Sequence, residues 1–496
     1  MPNEIIVDVS VNEIRAALLE DGELAEIYIE RSYPKRLVGN IYEGKVTSVL
    51  TGMQAAFVDI GYEKNAFLYF GDVVGIKEDK DEEDVFLPKL NNCNITKTLK
   101  AGMQIMVQVL KEPFGTKGPR VTTNIMLPGR YTVLLPNAEY IGISRRIEDE
   151  EERSRLKKVV DMHKPPNMGI IVRTAAEGTD EEVLANDIKF LLKLWEKIKQ
   201  AAKSGPVPRC IHKDLDLIGR TVRDMFLQNI SRFVINDKSA CLNVLEMVDM
   251  ISPSLKQKVV YFDKDYDLFG FYNIESKIER ALSRKVWLKS GGYIVIDRTE
   301  ALTVIDVNTG KYIGGHDLEE TVLKTNMEAA KEIARQLRVR DIGGIIIIDF
   351  IDMHKAEHRS MVIDELKAAL KNDRTKTTVL GLTGLGLVEM TRKKVRQDLD
   401  SVLNIGCPHC EGTGRIPSQW TILRQMEKDI SRVASHTPNA ENVSIRIDLH
   451  PSVVSFINEK NKGLVEKLEK KYNIKMQLNP SDKVKYSDVK ITVIDN

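Results

Sequence analysis

The sequence predicts a multidomain α/β protein that also contains a small β-barrel. At 496 residues the chain has room for about three or four domains, each with its own core. Two apolar, β-branched runs within 302–310 and 343–352 enclose a helical pattern, which is typical of parallel strands joined by a helix. Closely spaced, glycine-punctuated strands over 39–124 are typical of a barrel instead.

Composition and charge limit the class of protein. Lys and Arg number 73 and Asp and Glu 72, so any surface that binds nucleic acid must be local. No signal-peptide pattern starts the chain, and no apolar run approaches the roughly 20 residues of a membrane span. Five cysteines in a chain of this length do not make a disulfide framework. We therefore expect a cytoplasmic protein without a membrane partner.

The N-terminal segment, up to about residue 38, alternates polar and apolar residues. This pattern predicts three short strands in a meander, with a tight turn at Asp21-Gly22. Asp8 on the first strand suggests a nuclease of the ribonuclease H kind, but further carboxylates are not evident, so we interpret Asp8 as structural. The helices and strands over 218–283 could complete the same sheet.

The barrel segment 39–124 interleaves aromatic residues and lysines with its strands, which fits a five-stranded OB barrel whose outer face stacks bases. Phe57 and Phe67 are the candidate stacking residues, with Lys45 and Lys117 near the nucleic-acid backbone. The alternative is that each phenylalanine belongs to the barrel core, and for either one alone the core is favoured.

A third segment, 125–217, contains a helical pattern, a buried strand over 169–174 and a long amphipathic helix over 181–202. The strand ends on Arg173 and Thr174, and a guanidinium fork beside a hydroxyl could grip a phosphate. The alternative is an ordinary surface arginine, which spacing alone favours.

The two apolar runs of the α/β segment end on Asp306 and Asp349. Asp317 and Glu320 form a capping box that would begin the intervening helix. A right-handed crossover then brings both aspartates to one edge of the sheet, with Asn308 beside the first. Neighbouring carboxylates repel unless a cation lies between them, and oxygen ligands suit Mg²⁺. The alternative, which spacing alone leaves open, is that both are turn or cap residues.

Two further runs follow the α/β pattern. The glycine-rich run 380–390 lacks the Lys-Ser/Thr of a phosphate-binding loop, so a nucleotide site is weakly supported. Arg392, Lys393, Lys394 and Arg396 form a compact basic run, which predicts either a patch for a phosphate backbone or a solvated helix face.

Cys407 and Cys410 form a Cys-x-x-Cys knuckle, which is half of a structural zinc site. No second knuckle exists, so lone Cys or His residues or a second copy of the chain must complete it. We favour the second copy, because a half-site and its symmetry mate close a four-cysteine site. A thioredoxin-like redox pair is the alternative, but we find no βαβ setting around it. Residues 419–496 predict a small α/β unit with one long helix over 451–472.

Six short runs, taken together and in order, resemble the ribonuclease E/G family. The runs are 54–59, 142–146, 171–174, 305–310, 347–352 and 407–410. The resemblance covers about residues 1–420, and an ending near 496 without a long scaffold tail resembles the short members of the family. The implied organisation is an RNase H-like subdomain from 1–38 and 218–283, an S1 domain of OB fold over 39–124, a 5′-sensor over 125–217, a DNase I-like catalytic domain over 284–403, a zinc link over 404–418 and a small C-terminal domain over 419–496.

The resemblance also implies an activity and partners. It implies a Mg²⁺-dependent endoribonuclease that cleaves single-stranded, AU-rich RNA, prefers a 5′-monophosphate and leaves 5′-phosphate and 3′-hydroxyl ends. The implied substrates are ribosomal RNA precursors, at the 5′ end of 16S RNA, and messenger RNA in decay. Two protomers would share Zn²⁺ as a homodimer, and a homotetramer is possible.

The resemblance assigns roles to individual residues as well. Asp306 and Asp349 would bind Mg²⁺, and Asn308 would contact the scissile phosphate. RNA would be contacted by Phe57, Phe67, Lys117 and Lys376, and the 5′-phosphate would be sensed by Arg173, Thr174 and the backbone near Val133. Cys407 and Cys410 would bind the shared Zn²⁺. Lys376 stands where the family can carry Arg.

Two competing functions remain open at this stage. One is a non-catalytic RNA-binding or assembly protein that uses the barrel and the zinc knuckle. The carboxylate pair Asp306 and Asp349 argues against it, because a pure binder has no use for a Mg²⁺ site. The other is a metal nuclease that acts on DNA, which an assay on both substrates distinguishes.

Overall fold

The computed structural model describes residues 3–33, 36–73, 99–113, 117–310, 318–410, 412–436 and 444–494. Contacts within the chain divide it into two compact units, 1–402 and 403–496, which are described separately. In these described ranges, no helix has both the length and the apolar composition needed to span a bilayer.

An antiparallel meander begins the first unit, as the sequence predicts. Its strands are β1 (Asn3–Val9), β2 (Glu13–Glu20) and β3 (Glu23–Arg31). Asp21 and Gly22 join β2 to β3 with φ of +52° and +80°, the positive values that a tight two-residue hairpin turn requires.

The second group of strands forms the predicted five-stranded closed barrel. The strands are β4 (Ile41–Leu50), β5 (Ala55–Asp59), β6 (Ala66–Tyr69), β7 (Gln104–Lys111) and β8 (Arg120–Thr122). They pair in the order β4-β5-β6-β8-β7, and an additional pairing of β4 with β7 closes the barrel. Small and β-branched residues such as Ala56, Val58 and Val107 fill the interior without solvent exposure.

A four-stranded sheet packed on two helices follows the barrel. The elements are β9 (Leu127–Pro128), β10 (Thr132–Leu135), β11 (Ile141–Ile143), α1 (Glu150–His163), β12 (Gly169–Val172), α2 (Glu181–Ala202) and β13 (Arg209–His212). Asp149 caps α1 by accepting the backbone N–H of Glu151. The sheet order is β11-β12-β10-β9, while β13 pairs with β4 of the barrel.

The next segment returns to the N-terminal sheet, as the sequence predicts. Its elements are α3 (Leu217–Asp224), β14 (Ile230–Ile235), α4 (Lys238–Ile251), β15 (Val259–Tyr261), α5 (Leu268–Phe271) and α6 (Ile274–Leu282). Strand β14 lies parallel to β1 and gives the order β15-β14-β1-β2-β3. Asp8 is buried and accepts hydrogen bonds from Arg15 at 2.7 Å and Asn236 at 2.6 Å, so it is structural, as interpreted.

A six-stranded sheet with two helices on one face completes the first unit. The elements are β16 (Lys285–Trp287), β17 (Tyr293–Arg298), β18 (Leu302–Asn308), α7 (Leu318–Arg340), β19 (Gly344–Asp349), α8 (Ala356–Leu370), β20 (Thr377–Leu382), β21 (Val388–Arg392) and α9 (Leu399–Leu403). Strands β18 and β19 are parallel and joined through α7, which confirms the predicted βαβ unit. Asp317 of the predicted capping box lies outside the described residues.

The predicted basic patch at 392–396 is wrong for its two arginines, although Lys393 and Lys394 are exposed. Arg392 is only 4% exposed and donates hydrogen bonds to Asp373 at 2.7 Å and Asp341 at 2.6 Å. Arg396 donates to Asp341 and lies 3.9 Å from the centre of the Tyr28 ring. The alternative of a helix face is also wrong, because Arg392 ends strand β21, whose twofold alternation turns it inward.

The second unit is a small α/β domain. Its elements are α10 (Gln419–His436), β22 (Ser444–Leu449), α11 (Pro451–Lys460), α12 (Leu464–Tyr472), β23 (Lys475–Pro480) and β24 (Lys490–Ile494). The predicted single helix over 451–472 is two helices, because Gly463 adopts a φ of +84° between them. Strands β22 and β23 are parallel, so the expectation that no βαβ unit follows Cys407 and Cys410 is wrong.

Candidate active site

A pair of carboxylates lies on the helix-free face of the six-stranded sheet. Asp306 and Asp349 are direct partners across the parallel strands β18 and β19, and both are exposed. Their neighbours Ile305 and Ile348 point the other way and are fully buried against α7 and α8. The side-chain amide of Asn308 donates a 2.7 Å hydrogen bond to Asp306 Oδ2. The structure therefore brings together the three residues that the βαβ pattern predicted.

The electrostatics of this pair suit a bound cation. Burial, together with the charges of Asp306 and Asp352, raises the pKa of Asp349. Within the described ranges, no Lys or Arg forms an ion pair with any of these three carboxylates. Asp352 was not among the predicted site residues, although it ends the run that carries Asp349.

The side chains at this site fit Mg²⁺, which keeps water ligands, better than a metal whose ligands all come from the protein. Among the residues that the structure describes, no three His, Cys, Asp or Glu side chains form a metal-binding group. Mg²⁺ keeps several waters and commonly takes only one or two carboxylates together with phosphate oxygens. Asp306 and Asp349 could therefore hold Mg²⁺ if a phosphate and water complete its ligands.

A glycine-dependent turn fixes the end of β18 next to the carboxylates. Gly310 has a φ of +60°, and a Cβ there would lie 2.5 Å from the carbonyl oxygen of Gly291. Any other residue would push β18 away from the start of β17. The turn therefore holds Asn308, two residues earlier, close to the neighbouring strand.

The outer face of the barrel carries the two candidate stacking residues. Phe57 and Phe67 are partners across β5 and β6, and their ring centroids lie 6.0 Å apart at 69°. Both rings are partly exposed, because the buried positions alternate with them along each strand. The alternative that they form the barrel core is therefore wrong. Lys45 and Lys117 are exposed on the same barrel.

The predicted phosphate grip is engaged in bonds within the protein. Arg173 Nη1 donates to Asp224 at 2.7 Å and to the carbonyl of Gly129 at 2.6 Å, while Nε and Nη2 have no bond to another described residue. The hydroxyls of Thr174 and Ser144 are 2.8 Å apart. Burial alone would raise the pKa of Asp224, but hydrogen bonds and charges from Arg223 and Arg173 lower it. Arg173 is thus a half-buried, paired arginine rather than an ordinary surface one.

Val133 and Lys376 are the remaining predicted contacts to RNA. Val133 lies on β10 and pairs with Ile171 of β12. Arg173 directly follows the end of β12. Lys376 is exposed just before β20, and its backbone carbonyl accepts the N–H of Lys393 at 2.9 Å. Asp224 was missed as the partner of Arg173, because 51 residues separate them and no local pattern links them.

The cysteine knuckle belongs to the second unit. Cys407 is exposed and Cys410 is half-buried. Hydrogen bonds from the backbone N–H groups of Cys410 and His409 and from the Cys410 side chain lower the pKa of Cys407. A depressed thiol pKa favours the thiolate that zinc requires. The described residues offer only this half-site, and Cys93 lies outside them.

Taken together, these features define a multidomain α/β protein with an OB-like closed barrel and a carboxylate pair exposed on a sheet. The family model described as the ribonuclease E/G family matches residues 126–395. A second model, described as the RNase E/G thioredoxin-like domain, matches residues 406–494, which makes the small C-terminal domain thioredoxin-like.

Individual relatives agree with the family models. The chain is 44% identical over 469 residues to ribonuclease G of Haemophilus influenzae, covering 94% of each chain. It is 43% identical over 435 residues to ribonuclease G of Escherichia coli, covering 87% of this chain and 88% of that one. It is also 37% identical over 476 residues to ribonuclease E of H. influenzae, covering 95% of this chain and 50% of that one. The chain therefore belongs to the ribonuclease E/G family.

Proposed function

We propose that this protein is an endoribonuclease that hydrolyses single-stranded RNA with Mg²⁺ held by Asp306 and Asp349. The observation that carries the proposal is the exposed carboxylate pair, which forms no ion pair with a Lys or Arg of the described ranges and accepts an amide hydrogen bond from Asn308. Relatives named ribonuclease G, aligned over most of the chain, support RNA as the substrate.

The reaction follows from the chemistry of these side chains. When bound, Mg²⁺ polarises the phosphoryl oxygen and favours attack by water. Asp306 and Asp349 would supply the negative charge that holds the ion. One N–H of the Asn308 amide is bonded to Asp306, which leaves its other N–H for a phosphate oxygen. Water adds to phosphorus, the bond from phosphorus to the 3′ oxygen breaks, and that oxygen takes up the proton that the water gives up. The products are a 3′-hydroxyl and a 5′-phosphate.

The barrel supplies the preference for single strands. Phe57 and Phe67 present adjacent rings to solvent, and stacking requires bases that are not paired in a duplex. Lys117 and Lys376 are exposed and suited to contacts with the RNA backbone. AU-rich ribosomal and messenger precursors are the proposed substrates.

The region around Arg173 is the proposed site for a 5′-monophosphate. The Nε and Nη2 atoms of Arg173 form one edge of the guanidinium, which suits bidentate contact with a phosphate. Thr174 supplies a hydroxyl, and the backbone near Val133 lies on β10, the strand that pairs with β12. The residues 125–217 act as the 5′-sensor in this proposal.

The proposed assembly is a homodimer that shares Zn²⁺. Cys407 and Cys410 offer two thiol ligands, and tetrahedral zinc needs four. A second copy of the same knuckle completes the set, and a tetramer of two dimers is compatible with it. We propose the same residue ranges as in the sequence analysis for four parts of the chain: the RNase H-like subdomain, the S1 domain, the DNase I-like catalytic domain and the zinc link.

A cleavage assay tests the proposed reaction. The purified protein is incubated with Mg²⁺ and a 5′-monophosphorylated, AU-rich RNA, and the new ends are mapped. We expect 5′-phosphate ends from the wild type and none from Asp306→Asn or Asp349→Asn, with RNA binding retained. Asp297→Asn is the matched control, because Asp297 is exposed on the neighbouring strand and pairs with Arg284 instead.

The outcomes separate the proposal from its competitors. Cleavage retained by Asp306→Asn or Asp349→Asn at ordinary Mg²⁺ would refute the assigned site. RNA that is bound but not cut by the wild type would favour a non-catalytic binding protein. Equal cleavage of a DNA strand of the same sequence would favour a general nuclease.

A further inference from the structure

An exposed cluster of one lysine and two aromatic residues lies beside the carboxylate pair. We call Lys285, Trp287 and Tyr293 the Trp287 cluster. The rings of Trp287 and Tyr293 lie 5.3 Å apart at 63°. The ammonium of Lys285 lies 4.0 Å from the centre of the Trp287 ring and 3.5 Å from that of Tyr293.

Strand register places this cluster on the same sheet face as the proposed reaction centre. Across β16, β17 and β18, Trp287 is the partner of Tyr293, and Tyr293 is the partner of Asn308. Lys285 begins the neighbouring row, which continues through Val295 to Asp306 and then Asp349. Strands are spaced by about 4.8 Å, so Trp287 lies about 10 Å from Asn308.

The cluster does not serve the hydrophobic core. Trp287 is 54% exposed, whereas the intervening residue Val286 and the following strand residue Ile294 are buried on the helix-covered face. Within the described ranges, Lys285 forms no ion pair with a carboxylate. The cluster therefore presents aromatic surface and an uncompensated positive charge to solvent.

This combination is suited to one nucleotide. Nucleobases stack on exposed aromatic rings regardless of sequence, and a nearby ammonium attracts the phosphate. We propose that the Trp287 cluster stacks a base of the RNA strand next to the cleaved bond, with Lys285 contacting its phosphate. This inference rests on the proposed endoribonuclease activity, because that activity brings RNA to Asp306 and Asp349. The inference places one nucleotide on β16 and β17, at a site distinct from the barrel residues Phe57 and Phe67.

An RNA series with single abasic nucleotides tests the inference. Wild type, Trp287→Ala and Trp287→Phe are compared on RNAs that lack one base at each position around the cleaved bond. We expect Trp287→Ala to raise KM about tenfold on intact RNA, because the loss of one stacked base weakens binding by about that factor. Trp287→Phe should recover most of the loss. At one abasic position, wild type and Trp287→Ala should become equal.

A fluorescence measurement gives a readout that does not depend on activity. RNA bound in Ca²⁺ without Mg²⁺ should quench the tryptophan emission of the wild type and less so that of Trp287→Phe. Trp420→Ala is the matched control, because Trp420 is 61% exposed and contacts Phe456 edge-on, but belongs to the second unit. Trp420→Ala should leave the KM for intact RNA unchanged, and its cleavage of each abasic RNA should match that of the wild type.

Failure of the inference differs from failure of the proposed activity. If the wild type cleaves RNA and Trp287→Ala matches it at every abasic position, the stacking role is overturned while the endoribonuclease stands. If the wild type does not cleave any RNA and shows no quenching, the proposed activity and this inference both fall. Quenching without cleavage would retain the RNA site and refute the reaction.

Discussion

Asn308 donates a 2.7 Å hydrogen bond from its side-chain amide to the carboxylate of Asp306. The bond holds the Asp306 carboxylate and leaves the second amide hydrogen of Asn308 without a bond to another described residue. We therefore expect Asn308→Asp, which lacks both amide donors, to lower kcat by about 100-fold while RNA affinity changes little. Single-turnover cleavage and equilibrium binding measure the two quantities. An unchanged kcat would remove Asn308 from the reaction.

Asp349 should make the free energy of unfolding depend on pH. Its pKa is raised in the folded protein, so the folded chain binds more protons than the unfolded one between the ordinary value, about 3.9, and the raised value. Stability is therefore lost as the pH rises through that window. In EDTA, Asp349→Asn should be more stable than wild type at neutral pH, and the difference should shrink on acidification. Urea titrations at several pH values measure this.

Mg²⁺ provides the control for that prediction. A cation that binds only the folded protein stabilises it, so Mg²⁺ should raise the Tm of wild type more than that of Asp349→Asn. Equal shifts in both proteins would mean that Mg²⁺ does not bind at Asp349.

Arg173→Ala should erase the preference for 5′-monophosphorylated RNA. A hydrogen bond between charged groups contributes about 1.5–3 kcal/mol, so we expect a preference of about 10- to 100-fold to disappear. Cleavage of 5′-hydroxyl RNA should stay at the wild-type rate, which shows that the fold is intact. Asp224→Asn removes the partner of Arg173 but keeps the guanidinium, so it should retain the preference. A preference that survives in Arg173→Ala contradicts the sensor.

Cys407→Ser should abolish zinc binding and dimer formation together. Each protomer would contribute the neighbouring Cys407 and Cys410 thiols to the proposed four-ligand site, so one lost thiol would open it. Zinc content per chain should fall to near zero, and sedimentation should shift toward the monomer. Cys210→Ser, an exposed cysteine of the first unit, is the control. An intact dimer without zinc would disprove the shared site.

Asp373→Asn should destabilise the first unit. Arg392 and Asp373 are 4% and 2% exposed, and their 2.7 Å ion pair is buried. Removing one partner of a buried pair costs about 3–5 kcal/mol. Because Arg392 keeps its bond to Asp341, we expect a loss of about 3 kcal/mol, at the lower end of this range. Urea unfolding measures it. Lys394→Ala is the control, because Lys394 is exposed, and it should change the free energy of unfolding by less than about 0.5 kcal/mol. A similar loss in both variants would contradict the claim that the buried ion pair stabilises the first unit.

The sequence by itself predicted most helices and strands, and it predicted that Asp306 and Asp349 lie side by side. Apolar runs that end on Asp306 and Asp349 around a helical pattern allow essentially one topology, because parallel crossovers are right-handed. The register of β18 and β19 confirms it. The closed barrel follows from local patterns in the same way. The pairing of β14 with β1 was open in the sequence, because it joins two distant segments of the chain.

Only the tertiary structure decided which charges and rings are available to a ligand. The run 392–396 resembles a phosphate-binding patch in sequence, yet Arg392 is buried in ion pairs with Asp341 and Asp373, which are 51 and 19 residues away. Arg173 is likewise paired with Asp224, and Trp287 reaches the row of Asn308 only through the pairing of β16, β17 and β18. Sequence spacing fixes the periodicity within one helix or strand, whereas ion pairs and cross-strand neighbours depend on distant segments that only folding brings together.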